Sequence, residues 1–205
     1  MKTMLLILGV VVVMAGMEAR GLTDTSHPLV RSVLDQHYIP VTLSGKVEVD
    51  FGVALYLFQR EDILCKVQEE YARQLPPGEL PEFVVEHQPP DRWSYVNRKN
   101  QPSEITEISR SMDEAGQLDV LYHVSGRRFF GEFESLVYVR VVSDAEGAST
   151  SYDVQVYAYP KVAVSRFFAR HLNLIERYFR GKTTEVTELT VTICRGIVGE
   201  VDEST

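Results

Sequence analysis

Apolar and polar residues in SRFFARHLNLIERYFRGK, residues 165–182, recur with the period of an α-helix. At about 100° per residue, two adjacent rows of large side chains face one way: Val164, Phe168, Leu172, Ile175 and Phe179, then Phe167, His171, Leu174 and Tyr178. Val186, Leu189, Ile193 and Ile197 continue this phase. The pattern predicts one long helix over residues 162–197. Its apolar arc of about 160° is wider than the ~100° stripe of a typical surface helix.

Alternation with a period of two predicts strands before this helix. The most regular segment is KVEVDFGVALYLFQ, residues 46–59, where Phe51, Val53 and Leu55 share one face. Six more segments follow between residue 84 and Pro160: VVEHQ, RWSYVN, EITEISRSM, LDVLYHVS, FFGEFESLVYVRVVS and TSYDVQVYAY. Short turn clusters separate most of them, and short turns join antiparallel neighbours, so the segments predict a meander.

Two shorter stretches have helical spacing. HPLVRSVLDQHY, residues 27–38, brings Val30, Val33 and Leu34 together. REDILCKVQEEYARQL, residues 60–75, gathers its apolar residues on one side and is stopped by Pro76-Pro77-Gly78. The sequence therefore predicts helices on both sides of the first strand.

Composition changes this picture little. The chain has 205 residues, 44% of them hydrophobic and 24% charged, which fits one domain with a sizeable core. Its formal net charge is −8 and it has no long block of like charge. Duplex nucleic acid is therefore not expected as a partner.

The N-terminal sequence predicts where in or outside the cell the protein is located. Lys2 precedes an uncharged run from Thr3 to Met17, which has the length of a signal-peptide core and is short for a membrane span of about 20 residues. Residues 1–19 are therefore predicted to be a signal peptide or an uncleaved membrane anchor. The protein is expected to be exported, as a secreted, periplasmic or endomembrane-lumenal protein, and any membrane contact is expected through this segment.

The order of elements resembles that of the START-like, or helix-grip, superfamily. The resemblance covers most of residues 44–198 and rests on that order, on the strand pair FFGEFESLVYVRVVS and TSYDVQVYAY, and on VAVSRFFARHLNLIERYF after it. It implies an α+β fold in which a curved antiparallel β-sheet wraps around a long C-terminal helix, with short helices after the first strand. The signal segment, a helical extension over residues 20–43 and an acidic tail over residues 199–205 lie outside it.

The resemblance implies a binding or carrier protein for a hydrophobic small molecule or lipid held between sheet and helix. The predicted lining is Phe51, Val53, Leu55, Tyr122, Phe133, Val137, Val139, Val156, Phe168, His171, Leu172, Ile175 and Phe179. These residues fit a solid core equally well, so the sequence allows either a cavity or a filled interior. The oligomeric state is left open.

Two other classes of function compete with ligand binding. A cyclase- or lyase-like enzyme would use His123 or His171 as general acid or base in the cavity. A non-catalytic module would meet a protein or membrane through a basic helix face of Arg166, Arg170, Arg177 and Arg180.

The remaining candidate chemistry is limited. Cys65 and Cys194 either form a disulfide in an oxidising compartment or stay buried as free thiols. Neither has the spacing of a zinc ligand, and no phosphate-binding loop or nucleophile elbow is present. No cofactor and no metal are therefore expected.

Overall fold

The computed structural model describes residues 26–81, 83–97, 101–114, 116–144, 147–161 and 172–203. The helices are α1 (Pro28–Leu34), α2 (Phe51–Phe58), α3 (Ile63–Arg73) and α4 (Leu172–Glu203). The strands are β1 (Ile39–Val47), β2 (Phe83–Gln88), β3 (Arg92–Asn97), β4 (Pro102–Met112), β5 (Gln117–Arg128), β6 (Gly131–Ser143) and β7 (Thr150–Pro160). No helix in these ranges is both long and apolar enough to cross a membrane.

All seven strands form one antiparallel sheet in the order β1-β7-β6-β5-β4-β3-β2. The six segments predicted as a meander are β2 to β7, so that prediction is confirmed. β1 pairs with β7, with Val41 opposite Val156, and so takes residues 39–43 of the expected helical extension into the sheet.

The strand predicted over residues 46–59 is wrong. β1 ends at Val47, and residues 51–58 form α2. The Asp50 carboxylate accepts a hydrogen bond from the Gly52 N–H at 2.7 Å and caps the helix N-terminus. Because FGVALYLF is apolar at nearly every position, its alternation is equally compatible with a helix. The short helices expected after the first strand are α2 and α3.

α1 covers part of the outer face of the sheet. It lies within the helix predicted over residues 27–38. Val30 and Val33 are fully buried there, in a cluster with Leu121, Leu136, Tyr138 and Tyr157. The sheet is therefore apolar on both faces, and side chains on either face can be buried.

α4 lies along the inner face, where β1 is the strand that it contacts most, and it also packs against α3. The Thr- and Val-rich half after Gly181 is helical, as its phase predicts. Ile175 and Phe179 are buried, whereas Leu174 is 47% and Val186 42% exposed. The buried stripe of α4 is thus narrower than the predicted arc. Phe168 and His171 lie outside the described residues.

Candidate functional site

The inner face of the sheet is one apolar wall, and the predicted lining can be compared with it. Five predicted residues lie on this wall: Tyr122, Phe133, Val137, Val139 and Val156. Ile175 and Phe179 pack against it from α4.

Phe51 and Leu55 reach the same cluster from a helix instead of a strand. Val53 packs in the adjacent cluster around Val49, Leu57, Ile63 and Cys194. Leu172 begins α4, but its side chain is outside the described set.

The centre of this wall is incompletely covered. Ile105 on β4, Val124 on β5 and Val137 on β6 belong to the inner apolar cluster but are only half-buried. Ile105 lies opposite Val124 in the β4–β5 ladder. In a sheet packed solidly against a helix, apolar side chains of central strands are expected to be fully buried. Apolar surface therefore remains accessible in the middle of the concave face.

Four aromatic rings close one end of the concavity. Phe179 of α4 lies 5.5 Å from Phe133 and 5.8 Å from Phe130 between ring centroids, and Tyr178 lies 5.7 Å from Phe130. The sequence alternation sets Phe130 on the face opposite Phe133. Gly131, with φ of 103°, turns the chain there, so both rings reach the same cluster.

Arg128 ends β5 beside these rings and is half-buried. Its Nε donates to the Tyr178 hydroxyl at 2.8 Å, and its Nη1 donates to Ser103 Oγ at 3.1 Å and to the Arg127 carbonyl at 2.6 Å. The guanidinium carbon is 4.9 Å from the Tyr95 ring centroid and 5.5 Å from that of Phe133. Sequence reasoning missed this residue, although alternation along β5 places it on the same face as Tyr122 and Val124.

His123 lies on the opposite side of the sheet. It neighbours Tyr122 on β5 and is 5% exposed. Its Nε2 lies 3.8 Å from Glu134 Oε2, which accepts a 2.7 Å hydrogen bond from Ser32 of α1. Lys161 Nζ lies 2.6 Å from the other oxygen of Glu134. This polar cluster sits at the edge of the α1 contact, so His123 does not line the space between sheet and α4. The second candidate, His171, lies outside the described residues.

Burial lowers the pKa of His123 below its ordinary value of 6.5, despite the nearby Glu134 carboxylate. Burial opposes ionisation of Glu134 too, but the hydrogen bonds from Lys161 and Ser32 outweigh it and lower that pKa below 4.5. The unfolded chain therefore binds protons on both groups more readily than the folded chain does. Lowering the pH through the range in which histidine ordinarily titrates therefore destabilises the folded chain, because His123 binds a proton more readily in the unfolded chain. Lowering the pH further destabilises the folded chain again, because the same holds for Glu134.

We expect the Tm to fall between about pH 7 and pH 5, and to fall less for His123→Gln. Thermal unfolding followed by circular dichroism at several pH values measures this. His37→Gln, at an exposed position, is the matched control and is expected to keep the wild-type slope. Equal slopes for His123→Gln and wild type would show that His123 does not cause the acid sensitivity.

The two cysteines are free thiols and do not form the disulfide that the sequence allowed. Cys65 is half-buried against the inner apolar cluster, and Cys194 is buried in the adjacent one. Burial raises the pKa of Cys194 to about 11. Such a thiol is a small apolar core group and a poor nucleophile.

The described residues form no candidate metal site. Within them, no three His, Cys, Asp or Glu side chains are grouped so that they could hold a metal ion.

Comparison with known proteins supports the fold. No protein-family model and no curated protein match the chain in sequence. A conserved protein from Geobacillus kaustophilus is 9% identical and superposes with a TM-score of 0.52 over 77% of this chain and 96% of its own. Ara h 8.0201 is 8% identical, with a TM-score of 0.50 over 78% of this chain and 99% of its own. At these identities the likeness concerns the fold alone. The chain has a helix-grip fold, with a curved antiparallel sheet and a long C-terminal helix, and its fold-level resemblance to the START-like superfamily is confirmed.

Proposed function

We propose that the protein binds a hydrophobic small molecule or lipid between the concave face of the sheet and α4. The observation that carries the proposal is the half-burial of Ile105, Val124 and Val137 in the middle of that face. Covering apolar surface contributes about 25 cal/mol per Å². An apolar ligand lying on these side chains removes them from water without moving the sheet.

The walls around this position also suit an apolar ligand. Trp93 of β3 and Tyr122 of β5 are buried on the same face, with ring centroids 6.1 Å apart. Ligand sites are mostly apolar and aromatic, with a small number of polar groups that fix orientation. The described part of the inner face has this composition.

The other two classes of function lack a comparable observation. The general acid or base of the enzyme hypothesis is not supplied by His123, because its side chain lies on the outer face. On the basic helix face, Arg180 is paired with Glu176 at 3.0 Å, and Arg166 and Arg170 fall outside the described residues.

Export is part of the same proposal. It rests on the sequence of residues 1–19 alone and would make the protein a carrier outside the cytosol, whether released or anchored through that segment.

Val124→Trp tests the proposal by filling the concavity. The full chain is titrated with the neutral probe N-phenylnaphthylamine, whose fluorescence rises in apolar surroundings. We expect saturable binding to the wild type and at least about tenfold weaker binding to Val124→Trp, because the indole occupies ligand space.

Val96→Trp is the matched control. Val96 is 42% exposed and alternates with Trp93 and Tyr95 along β3, so its side chain faces away from the inner wall. This variant is expected to bind the probe like the wild type. Circular dichroism and thermal unfolding verify that both variants fold. Failure of the wild type to bind the probe, or equal binding by folded Val124→Trp, would overturn the proposal.

A further inference from the structure

We propose that Arg128 binds the anionic head of an apolar carboxylate, so that the ligand is an amphiphile with one carboxylate and a hydrophobic body. This inference rests on the proposed function and specifies its ligand. It is drawn from the hydrogen-bonding and charge of Arg128, which the binding of a purely apolar molecule does not explain.

Arg128 differs from other arginines that the structure places in partly buried positions. Arg60, Arg110 and Arg140 each pair with a carboxylate, at 2.8, 2.6 and 2.9 Å respectively. Among the described residues, the partners of Arg128 are two hydroxyls, one carbonyl and two aromatic faces. Its positive charge is therefore not neutralised within the described part of the chain. A half-buried cation gains from a counterion because the local dielectric is lower than that of water.

The guanidinium of Arg128 also has N–H donors that meet no acceptor among the described residues. Nε and Nη1 donate to Tyr178, Ser103 and Arg127, whereas Nη2 has no acceptor within the described ranges. Arginine carries five N–H donors in a rigid plane, and carboxylate oxygens are strong acceptors for them. One carboxylate matches both the single positive charge and the Nη2 donors.

The surrounding sheet holds this group in place. Ser103 lies opposite Gly126 in the β4–β5 ladder, and a Cβ at position 126 would overlap Ser103 Oγ. The glycine therefore leaves room for the buried Ser103 hydroxyl that accepts from Arg128. Tyr178 fixes the guanidinium from α4, and Tyr95 lies beneath it. A cation held from several sides loses little conformational entropy when it binds an anion.

The position of Arg128 relative to the apolar wall defines the ligand's orientation. Val124 and Arg128 are four residues apart on the same face of β5. At ~3.3 Å per residue, about 13 Å of strand separates the charged end from the half-buried centre of the wall. The carboxylate then lies at Arg128, beside the aromatic end of the concavity, and the hydrophobic body extends over Val124 and Ile105.

Dodecanoic acid and dodecanol test this orientation, because they share a chain and differ in the charge of the head. Both are used to displace N-phenylnaphthylamine from the full chain at neutral pH. We expect Arg128→Gln to weaken dodecanoic acid at least about tenfold and to change dodecanol less than about twofold. Arg128→Lys keeps the positive charge but not the planar set of guanidinium N–H donors. It is expected to retain part of the affinity for dodecanoic acid.

Arg92→Gln is the matched control, since it removes the same charge from an exposed residue of the same sheet, which alternates with Trp93 along β3 and therefore faces away from the inner wall. It is expected to leave both affinities unchanged, and circular dichroism verifies that all variants fold. Unchanged acid binding in Arg128→Gln, or equal losses for acid and alcohol, would overturn the head-group inference while leaving apolar binding intact. Failure of the probe and both ligands to bind the wild type would instead overturn the proposed function and this inference with it.

Discussion

Phe179→Ala is expected to lower the free energy of unfolding by about 3–5 kcal/mol. The side chain is 8% exposed, and its ring packs against Phe133 and Phe130 at 5.5 and 5.8 Å. Truncation removes apolar burial and leaves a cavity that the rigid sheet fills only in part. The aromatic pairs contribute beyond their buried area. Urea denaturation followed by far-UV circular dichroism measures the loss.

Leu174→Ala is the matched control on the same helix. Leu174 is 47% exposed, and its truncation is expected to change the free energy of unfolding by less than about 0.5 kcal/mol. Both residues fall within the apolar arc that the sequence predicts, so the pair also tests the narrower buried stripe. Similar losses for Leu174→Ala and Phe179→Ala would contradict the packing of α4 on the sheet.

The fold could be predicted because its strongest signals are local and periodic. Each strand from β2 to β7 has its own alternating pattern, and most of the turns between them are too short for anything but antiparallel pairing. The second half of α4 is rich in Thr and Val, which favour strands. This half is nevertheless recognisable as a helix, because Leu189, Ile193 and Ile197 keep the helical phase of Ile175 and Phe179.

The segment from residue 46 to 59 could not be assigned in this way. When nearly every residue is apolar, alternation cannot distinguish a strand from a buried helix. The deciding feature is Asp50, whose side chain caps the helix that begins at Phe51. An Asp before an apolar run is an N-cap signal available in the sequence. The pairing of β1 with β7 is a long-range contact that no local pattern contains.

The candidate site was predictable in its apolar part and not in its polar part. Tyr122 and His123 are consecutive on one strand, so they lie on opposite faces of the sheet and cannot both face α4. The sequence does not show that α1 covers part of the outer face, where His123 is buried next to Glu134 and its contact with Ser32. Arg128 shares the alternation of Tyr122 and Val124. The role proposed for Arg128 depends on partners from β4 and α4, which only the folded chain brings together.

Trp93→Ala is expected to cost about 3–5 kcal/mol of unfolding free energy. The alternation of RWSYVN does not reveal which of its faces is buried, but the structure places Trp93 in the inner cluster at 3% exposure. Its ring stacks on His87 at 5.3 Å, and its Nε1 donates to the Glu61 carbonyl at 3.1 Å. The alanine variant loses a large apolar side chain and also leaves that carbonyl without its indole donor. Equilibrium unfolding in urea measures the combined effect.

Trp93→Phe separates packing from hydrogen bonding at the same position. Phenylalanine keeps an aromatic ring on the inner face but cannot donate to Glu61, which lies just before α3. We expect a loss of about 1–3 kcal/mol, because the Glu61 carbonyl loses its donor while most of the apolar contact is kept. A loss equal to that of Trp93→Ala would assign the whole effect to the hydrogen bond. A negligible loss in both variants would contradict the burial of Trp93, and with it the apolar wall on which a bound ligand would lie.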